Sequence, residues 1–375
     1  MRDASERFEV TYRVRCAAGE SVAGKARSIA LEQTVELPAE CLDEGVEATV
    51  VGRVESADET RGEVRISYPA AAAGSELPQF LNLLFGNISM QTGVRVEDVR
   101  WPSFWVSRPA GPQAGISGLR AVCGAGRDRP LLCVANKPLG ASSQELAERC
   151  RELARAGVDV VKDDHSLADQ HWAPFDERVG RCQQAVEDES ARHGSRTLYF
   201  PNLTGGLRQL ESRLERVRSL GCRGVLVSPW ILGVDVLRTL ALETDLLLLA
   251  HPGLMGAHFG AGHGIAPPVL LGDLLRIAGA DAVIYPNVDG RFVLSAADSA
   301  ETHRRLRRPL GELRPSMPTL AGGVEVSRVE EWMTAYGRDS MFLIGTSLYR
   351  TGNVADAAAS LMDVLRAADS RAAVS

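Results

Sequence analysis

From residue 129 onward one pattern repeats. A short apolar run is followed by a polar or glycine-bearing loop and then by a segment with helical period. The runs are Leu131–Ala135, Val158–Val161, Thr197–Phe200, Gly224–Ser228, Asp245–Ala250, Asp281–Tyr285, Pro318–Ala321 and Met341–Gly345, eight in all. Near-continuous apolar strands imply burial on both faces, as in a parallel sheet covered by helices. Eight such units over residues 129–375 predict a closed (β/α)8 TIM barrel, an α/β fold. A doubly wound sheet is the rival. It opens with a glycine-rich fingerprint after its first strand, and Asn136-Lys137-Pro138-Leu139-Gly140 is not one.

Residues 1–128 carry no such repeat. Phe8–Val14 alternates as a strand, Glu20–Leu31 reads as a helix, and Ala48–Tyr68 reads as a hairpin broken near Asp58-Glu59-Thr60. A second helix over Leu77–Ile88 and a strand over Val94–Arg100 complete the order. A smaller α+β domain of ferredoxin-like type is expected there, and two domains suit 375 residues. A net charge of −6 argues against a nucleic-acid or anionic-membrane surface. The longest apolar stretch, around Leu246–Ala250, is too short to span a bilayer, and the first six residues lack the apolar core of a signal peptide. Seven cysteines, odd in number and without a CxxC pair, suit free thiols in a reducing compartment. A cytoplasmic enzyme acting on a small molecule is the expectation.

In such barrels the groups that do chemistry lie at the C-terminal ends of the strands. Just past the runs stand Asn136 and Lys137; Lys162, Asp163, Asp164 and His165; Asn202 and Thr204; His251; Asn287 and Arg291; Gly322 and Gly323; and Gly345, Thr346 and Ser347. Lys162-Asp163-Asp164-His165 is the sharpest signal. Elsewhere such a group is most often a solvated loop with a capping Asp, but here it ends a barrel strand. Two acids and an imidazole beside a lysine can hold a divalent cation. A desolvated Lys162 could form a Schiff base, or capture CO2 as a carbamate and so add an anionic oxygen ligand. The glycines after the seventh and eighth strands suit a phosphate or another anion, bound by backbone N–H groups. His251 is a candidate for proton transfer or hydroxyl binding. His171, His258, His263 and His303 read as structural or surface groups.

Taken together, these residues resemble the large-subunit family of ribulose bisphosphate carboxylase (RuBisCO). Gly157 to Asp164 resembles that family's second barrel strand with its carbamylated, metal-binding lysine. Leu139-Gly140-Ala141-Ser142 resembles its first loop, and Gly322-Gly323 and Gly345 resemble its phosphate-binding glycines. Glu32-Gln33-Thr34 and Gly86-Asn87 resemble segments that the family places in a neighbouring subunit's active site. The resemblance spans nearly the whole chain. It implies Mg2+, or another divalent cation in view of His165, held by carbamylated Lys162, Asp164 and His165. It implies catalytic roles for Lys162, Asp163, His251 and Lys137. Substrate contacts would come from Glu32, Asn87, Asn136, Asn202, Arg291, Gly322, Gly323, Gly345 and Thr346. A homodimer with shared sites, or an assembly of dimers, follows from the same likeness.

The departures carry the functional reading. Where the family has its first-loop lysine this chain has Asn136, with Lys137 one place off, and Pro138 stands for a second lysine. His165 replaces a metal-binding glutamate. Pro252, Ile284 and Ala321 replace the arginine, histidine and serine of a second phosphate site, and Gln33 to Pro38 lacks the threonine-tryptophan pair. Arg291 stands near the mobile-loop lysine. A bisphosphate cannot be clamped at both ends by this set, so a non-carboxylating, RuBisCO-like protein is expected. Its branch shares a metal-stabilised enediolate. Without the lysine at 136, carbon deprotonation is weakened, whereas a β-keto acid loses CO2 without it. The reaction expected first is therefore decarboxylation, carboxyl transfer or hydrolysis of a 3-oxo sugar acid or its phosphate, such as 3-oxo-isoapionate 4-phosphate. The alternative is an enolase or isomerase acting on a methylthio-keto-sugar phosphate, favoured if Lys137 turns inward. A non-catalytic binding barrel is a third reading, disfavoured by Lys162 and Asp164.

Overall fold

The computed structural model describes residues 6–109, 111–260, 262–288, 290, 292 and 294–372, with side chains through 367. The N-terminal unit runs β1 (Arg7–Val14), a helix (Val22–Glu32), β2 (Arg53–Asp58), β3 (Glu63–Pro69), a helix (Leu77–Phe85) and β4 (Val94–Arg100). Its strands are antiparallel in the order β4-β1-β3-β2, the split βαβ arrangement of a ferredoxin-like domain. Phe8, Val10, Tyr12 and Val14 alternate inward along β1, which is what a half-covered strand requires. The hairpin expected from Ala48 begins later. Asp43 accepts the Val46 N–H (2.8 Å) and caps a helix over Glu44–Val50, so Ala48–Val50 is helical and pairing starts at Arg53.

Each of the eight apolar runs forms a barrel strand. They are β5 (Leu131–Asn136), β6 (Val160–Asp163), β7 (Leu198–Phe200), β8 (Gly224–Val227), β9 (Leu247–Ala250) and, after the short pair β10 (Phe259–Gly260) and β11 (His263–Ile265), β12 (Ala282–Pro286), β13 (Met317–Ala321) and β14 (Met341–Ile344). The parallel order is β7-β6-β5-β14-β13-β12-β9-β8, and a bridge from Asn202 to Leu226 joins the two edges into a nearly closed barrel. Side chains alternate between two apolar layers. Leu131, Cys133, Ala135, Val160, Leu198, Phe200, Leu226, Leu249, Ile284, Met317 and Leu343 fill the interior, while Leu132, Val134, Val161, Tyr199 and Val225 pack outward under the helices. Ile116, Leu119 and Cys123 of the helix Gly115–Cys123, ahead of the boundary expected at 129, join the interior layer. β11 leaves the barrel to pair with β4 (Gly264 opposite Arg95), tying the two units together. No helix among the described residues is long and apolar enough to cross a membrane.

Candidate active site

The parity of β5 and β6 decides which polar residues reach the barrel mouth. Ala135 lies opposite Lys162, which lies opposite Phe200, and all three point inward; Asn136 lies opposite Asp163, and both point outward. One residue further on, Lys137 and Asp164 point inward again and form a close ion pair. Lys162 is buried, and its Nζ donates to the Asp163 carbonyl (3.0 Å). Burial pulls the Lys162 amine below the ordinary lysine range. At Asp164 burial acts upward, but the hydrogen bond from Lys137, the charges of Lys162 and Lys137 and the Ser166 N–H outweigh it. Its carboxyl is held well below the usual range. The His165 Nδ1 lies 3.4 Å from Asp164. Its ring stacks on His251, with centroids 4.4 Å apart and planes 10° apart. Burial, with Lys162 and His165 nearby, pushes the His251 imidazole well down, so it is neutral near pH 7. Its Nδ1 accepts the Gly253 N–H (3.1 Å), which puts the ring proton on Nε2.

Three expected site residues are corrected by the same parity. Asn136 does not reach the mouth: its Nδ2 donates to Leu146 O (3.1 Å) and Cys150 Sγ (3.2 Å) in the helical layer. Asp163 is a structural carboxylate. Its Oδ1 accepts the Tyr199 hydroxyl (2.7 Å), and its Oδ2 accepts Arg178 Nε (3.2 Å) and the Asn202 N–H (3.1 Å), all fully buried. Asn202 spends its side chain inside the protein, donating to His165 O (3.0 Å) and Leu167 O (2.9 Å) and accepting from Thr204. It braces the loop that carries Asp164 and His165. Arg291 lies outside the described residues.

The glycine loops sit where the pattern put them. Gly322 and Gly323 have φ of 75° and 71°, a region that favours glycine. Gly345 borders Lys137: a Cβ there would lie 3.9 Å from Lys137 Cε. Thr346, next in the chain, is exposed. At the opposite end Ile284 is buried among the interior apolar side chains. In the N-terminal unit Asn87 Nδ2 donates to Glu32 Oε1 (3.1 Å), so that pair is held together; among the described residues neither hydrogen-bonds to the barrel.

Asp164 and His165 are the ready donors for a cation, and among the described residues no three His, Cys, Asp or Glu side chains gather as a ligand set. A divalent cation would suit this mouth if Lys162 added a carbamate oxygen to Asp164 and His165, and burial of Lys162 favours the neutral amine from which a carbamate forms. The parity-based placement also exposes a signal in the sequence itself. The chain has only three lysines, Lys25, Lys137 and Lys162, among 42 basic residues, and two of them meet in the mouth. Arginine could supply charge anywhere, but only lysine can become a neutral amine. That rarity singles out Lys137 over Asn136. Arg178 and Tyr349, which fix these strand ends from behind, gave no local signal because each acts from a separate helix.

A family model described as Ribulose bisphosphate carboxylase large chain, catalytic domain, matches residues 115–370. The chain is 41% identical over 355 residues to ribulose bisphosphate carboxylase-like protein 1 of Rhodopseudomonas palustris, covering 93% of this chain and 95% of that one. It is 39% identical over 350 residues to a Rhodospirillum rubrum protein named 5-methylthioribulose-1-phosphate isomerase, covering 92% of each. The crystal structure of a Rubisco-like protein from Rhodopseudomonas palustris superposes with a TM-score of 0.87 at 38% identity, over 96% of this chain and 97% of the other. With its ferredoxin-like unit, its eight-stranded barrel and a lysine-bearing second strand, the chain belongs to the RuBisCO large-chain family, as one of its RuBisCO-like proteins.

Proposed function

We propose that this chain is an isomerase or enolase that moves a proton between carbons of a methylthio-keto-sugar phosphate. The observation that carries the reading is Lys137, turned inward beside Asp164 and Gly345. The case for decarboxylation leaned on Asn136 standing where the family has its first-loop lysine, and an inward Lys137 one place on supports the alternative instead. The 39% identity to a protein named 5-methylthioribulose-1-phosphate isomerase supports the same choice.

The phosphate would lie on the backbone of Gly322, Gly323 and Gly345, with Thr346 at its edge. Because Gly345 borders Lys137, an anion there would bring the adjoining carbons near that side chain. Lys137, an ammonium paired with Asp164 in the resting site, would first give a proton to solvent, then take one from carbon and return it to the neighbouring carbon. His251, neutral and protonated on Nε2, donates to a substrate oxygen. Asp164, His165 and carbamylated Lys162 would hold Mg2+, or a transition ion that accepts nitrogen. Such an ion supplies polarisation of the carbonyl and stabilisation of charge on oxygen. Pro252, Ile284 and Ala321 offer no side-chain donor to a second phosphate, so a CO2-fixing reaction on a bisphosphate is not supported. Glu32 and Asn87, already paired, would complete the site of a two-fold partner, and the enzyme would work in the cytoplasm.

The purified protein with Mg2+ is offered 5-methylthioribulose 1-phosphate and, separately, 3-oxo sugar acids, in D2O. Deuterium in recovered ketose together with an isomeric product, and no CO2 from the acids, is the expected outcome. CO2 release from a 3-oxo acid with no exchange in the ketose would restore the decarboxylase.

A further inference from the structure

The end of β5 that carries Lys137 is held on its β6 side by backbone, where the Asp164 N–H donates to Asn136 O (3.2 Å), and on its β14 side by a side chain. β5 and β14 are parallel, with Val134 opposite Ile344. Two residues on, Asn136 would face Thr346. In a parallel ladder the residue opposite Asn136 gives its N–H to the carbonyl of 135 and its C=O to the N–H of 137. Thr346 can do neither, because the chain has already turned into the short helix Thr346–Tyr349. The Tyr349 hydroxyl fills both roles: it donates to Ala135 O (2.9 Å) and accepts the Lys137 N–H (3.0 Å). One oxygen thus extends the barrel ladder a step past the end of β14. Tyr349 is itself held, with the Arg149 guanidinium 5.2 Å over its ring. It follows Gly345 by four residues, so the glycine loop and the Lys137 backbone are tied through one side chain.

We propose that Tyr349 is a positioning residue for Lys137: its hydroxyl stands in for the missing ladder residue and keeps the amine directed into the mouth. The inference rests on Lys137 acting there, as proposed above. It also gives the turn after Gly345 a purpose, since the hydroxyl supplies the ladder contacts that a longer strand would have made.

Tyr349→Phe removes one oxygen and keeps the ring. In the intact protein with Mg2+, hydrogen exchange at the Lys137 amide should speed up by about fivefold or more, as expected for one lost hydrogen bond. Amides elsewhere in β5–β9 should stay unchanged. With 5-methylthioribulose 1-phosphate, kcat should fall about tenfold to a hundredfold while KM stays within a factor of about two. Unchanged exchange at Lys137 would overturn the tether. Faster exchange with unchanged kcat would overturn the positioning role, and acceleration throughout the barrel would reduce Tyr349 to a packing residue. If the wild type does not turn over this ketose, the reaction reading fails on its own. Acylation of Lys137 relative to Lys25 then replaces kcat: a changed ratio in the variant supports the tether, and an identical ratio rejects it.

Discussion

Two faces of one pair of strand ends behave in opposite ways. Asn136 and Asp163 point outward, where every polar side-chain atom except Asn136 Oδ1 has a protein partner: Leu146, Cys150, Arg178, Tyr199 and the Asn202 backbone. Lys137, Lys162 and Asp164, each one residue away, point inward; Lys137 and Asp164 pair with one another, and Lys162 donates to the Asp163 carbonyl. Both faces are equally polar in sequence. What separates them is saturation: the outward groups are spent on holding the strands to the helices, whereas the inward groups still have capacity for a ligand. Polarity at a barrel strand end therefore marks function only after parity has been assigned.

The comparison is broken most severely from the inward side. Lys162→Ala should abolish turnover, a loss of at least about a thousandfold, while the melting temperature stays close to wild type, because the amine's hydrogen bond is to the neighbouring Asp163 carbonyl and ties no other element. A rate within a few-fold of wild type would remove Lys162 from the mechanism. On the outward side Asp163→Ala leaves Arg178 buried without its ion partner. It should cost about 3–5 kcal/mol of stability, read by denaturant unfolding. Asn136→Ala is the milder outward change. It should cost about 0.5–1.5 kcal/mol by removing one hydrogen bond to Leu146 O, which keeps its helical partner, and leave kcat within a few-fold. If Asn136→Ala instead removed activity without loss of stability, the parity assignment would be wrong.

Eight strands were legible because burial on both faces leaves an apolar run that no surface segment shows. The strand-end positions of Lys162, Asp164, His165, His251 and the glycines were legible because each ends or closely follows such a run. Asn136 and Asp163 were misread for a physical reason: a strand end is uncertain by one residue, and one residue reverses the face. Asn202 was misread because its partners, the His165 and Leu167 carbonyls, belong to another loop. Ala48–Val50 was misread because an Asp N-cap overrode a strand-like composition. Tyr349 was invisible, since its role depends on a register that only the folded sheet defines.

Two smaller effects sharpen the contrast. His165 is half exposed and stands at the rim of the inward face. If its ring binds the cation, His165→Glu should raise Mg2+ affinity and flatten its pH dependence near neutrality, because a protonated imidazole cannot ligate. Unchanged Mg2+ binding with weakened substrate binding would make it a substrate contact. Away from the mouth, His303 accepts or donates at Nδ1 with the Tyr285 hydroxyl (2.8 Å), and burial, aided by Arg307, pushes its pKa down to about 4. The folded value is depressed, so its contribution is present above the unfolded value of about 6.5 and lost as the pH falls toward 4. Unfolding free energy should decline through that window, by on the order of 3 kcal/mol at most, and His303→Gln should shrink the decline.

The central claim is that the inward lysine of the first loop moves a proton on carbon. Its most direct test is Lys137→Met incubated with Mg2+ and 5-methylthioribulose 1-phosphate in D2O, with mass analysis of both recovered ketose and product. Loss of carbon-bound deuterium and of the isomer, by about a hundredfold or more and with the fold intact, is the expected result. Exchange and isomerisation at the wild-type rate would contradict the account.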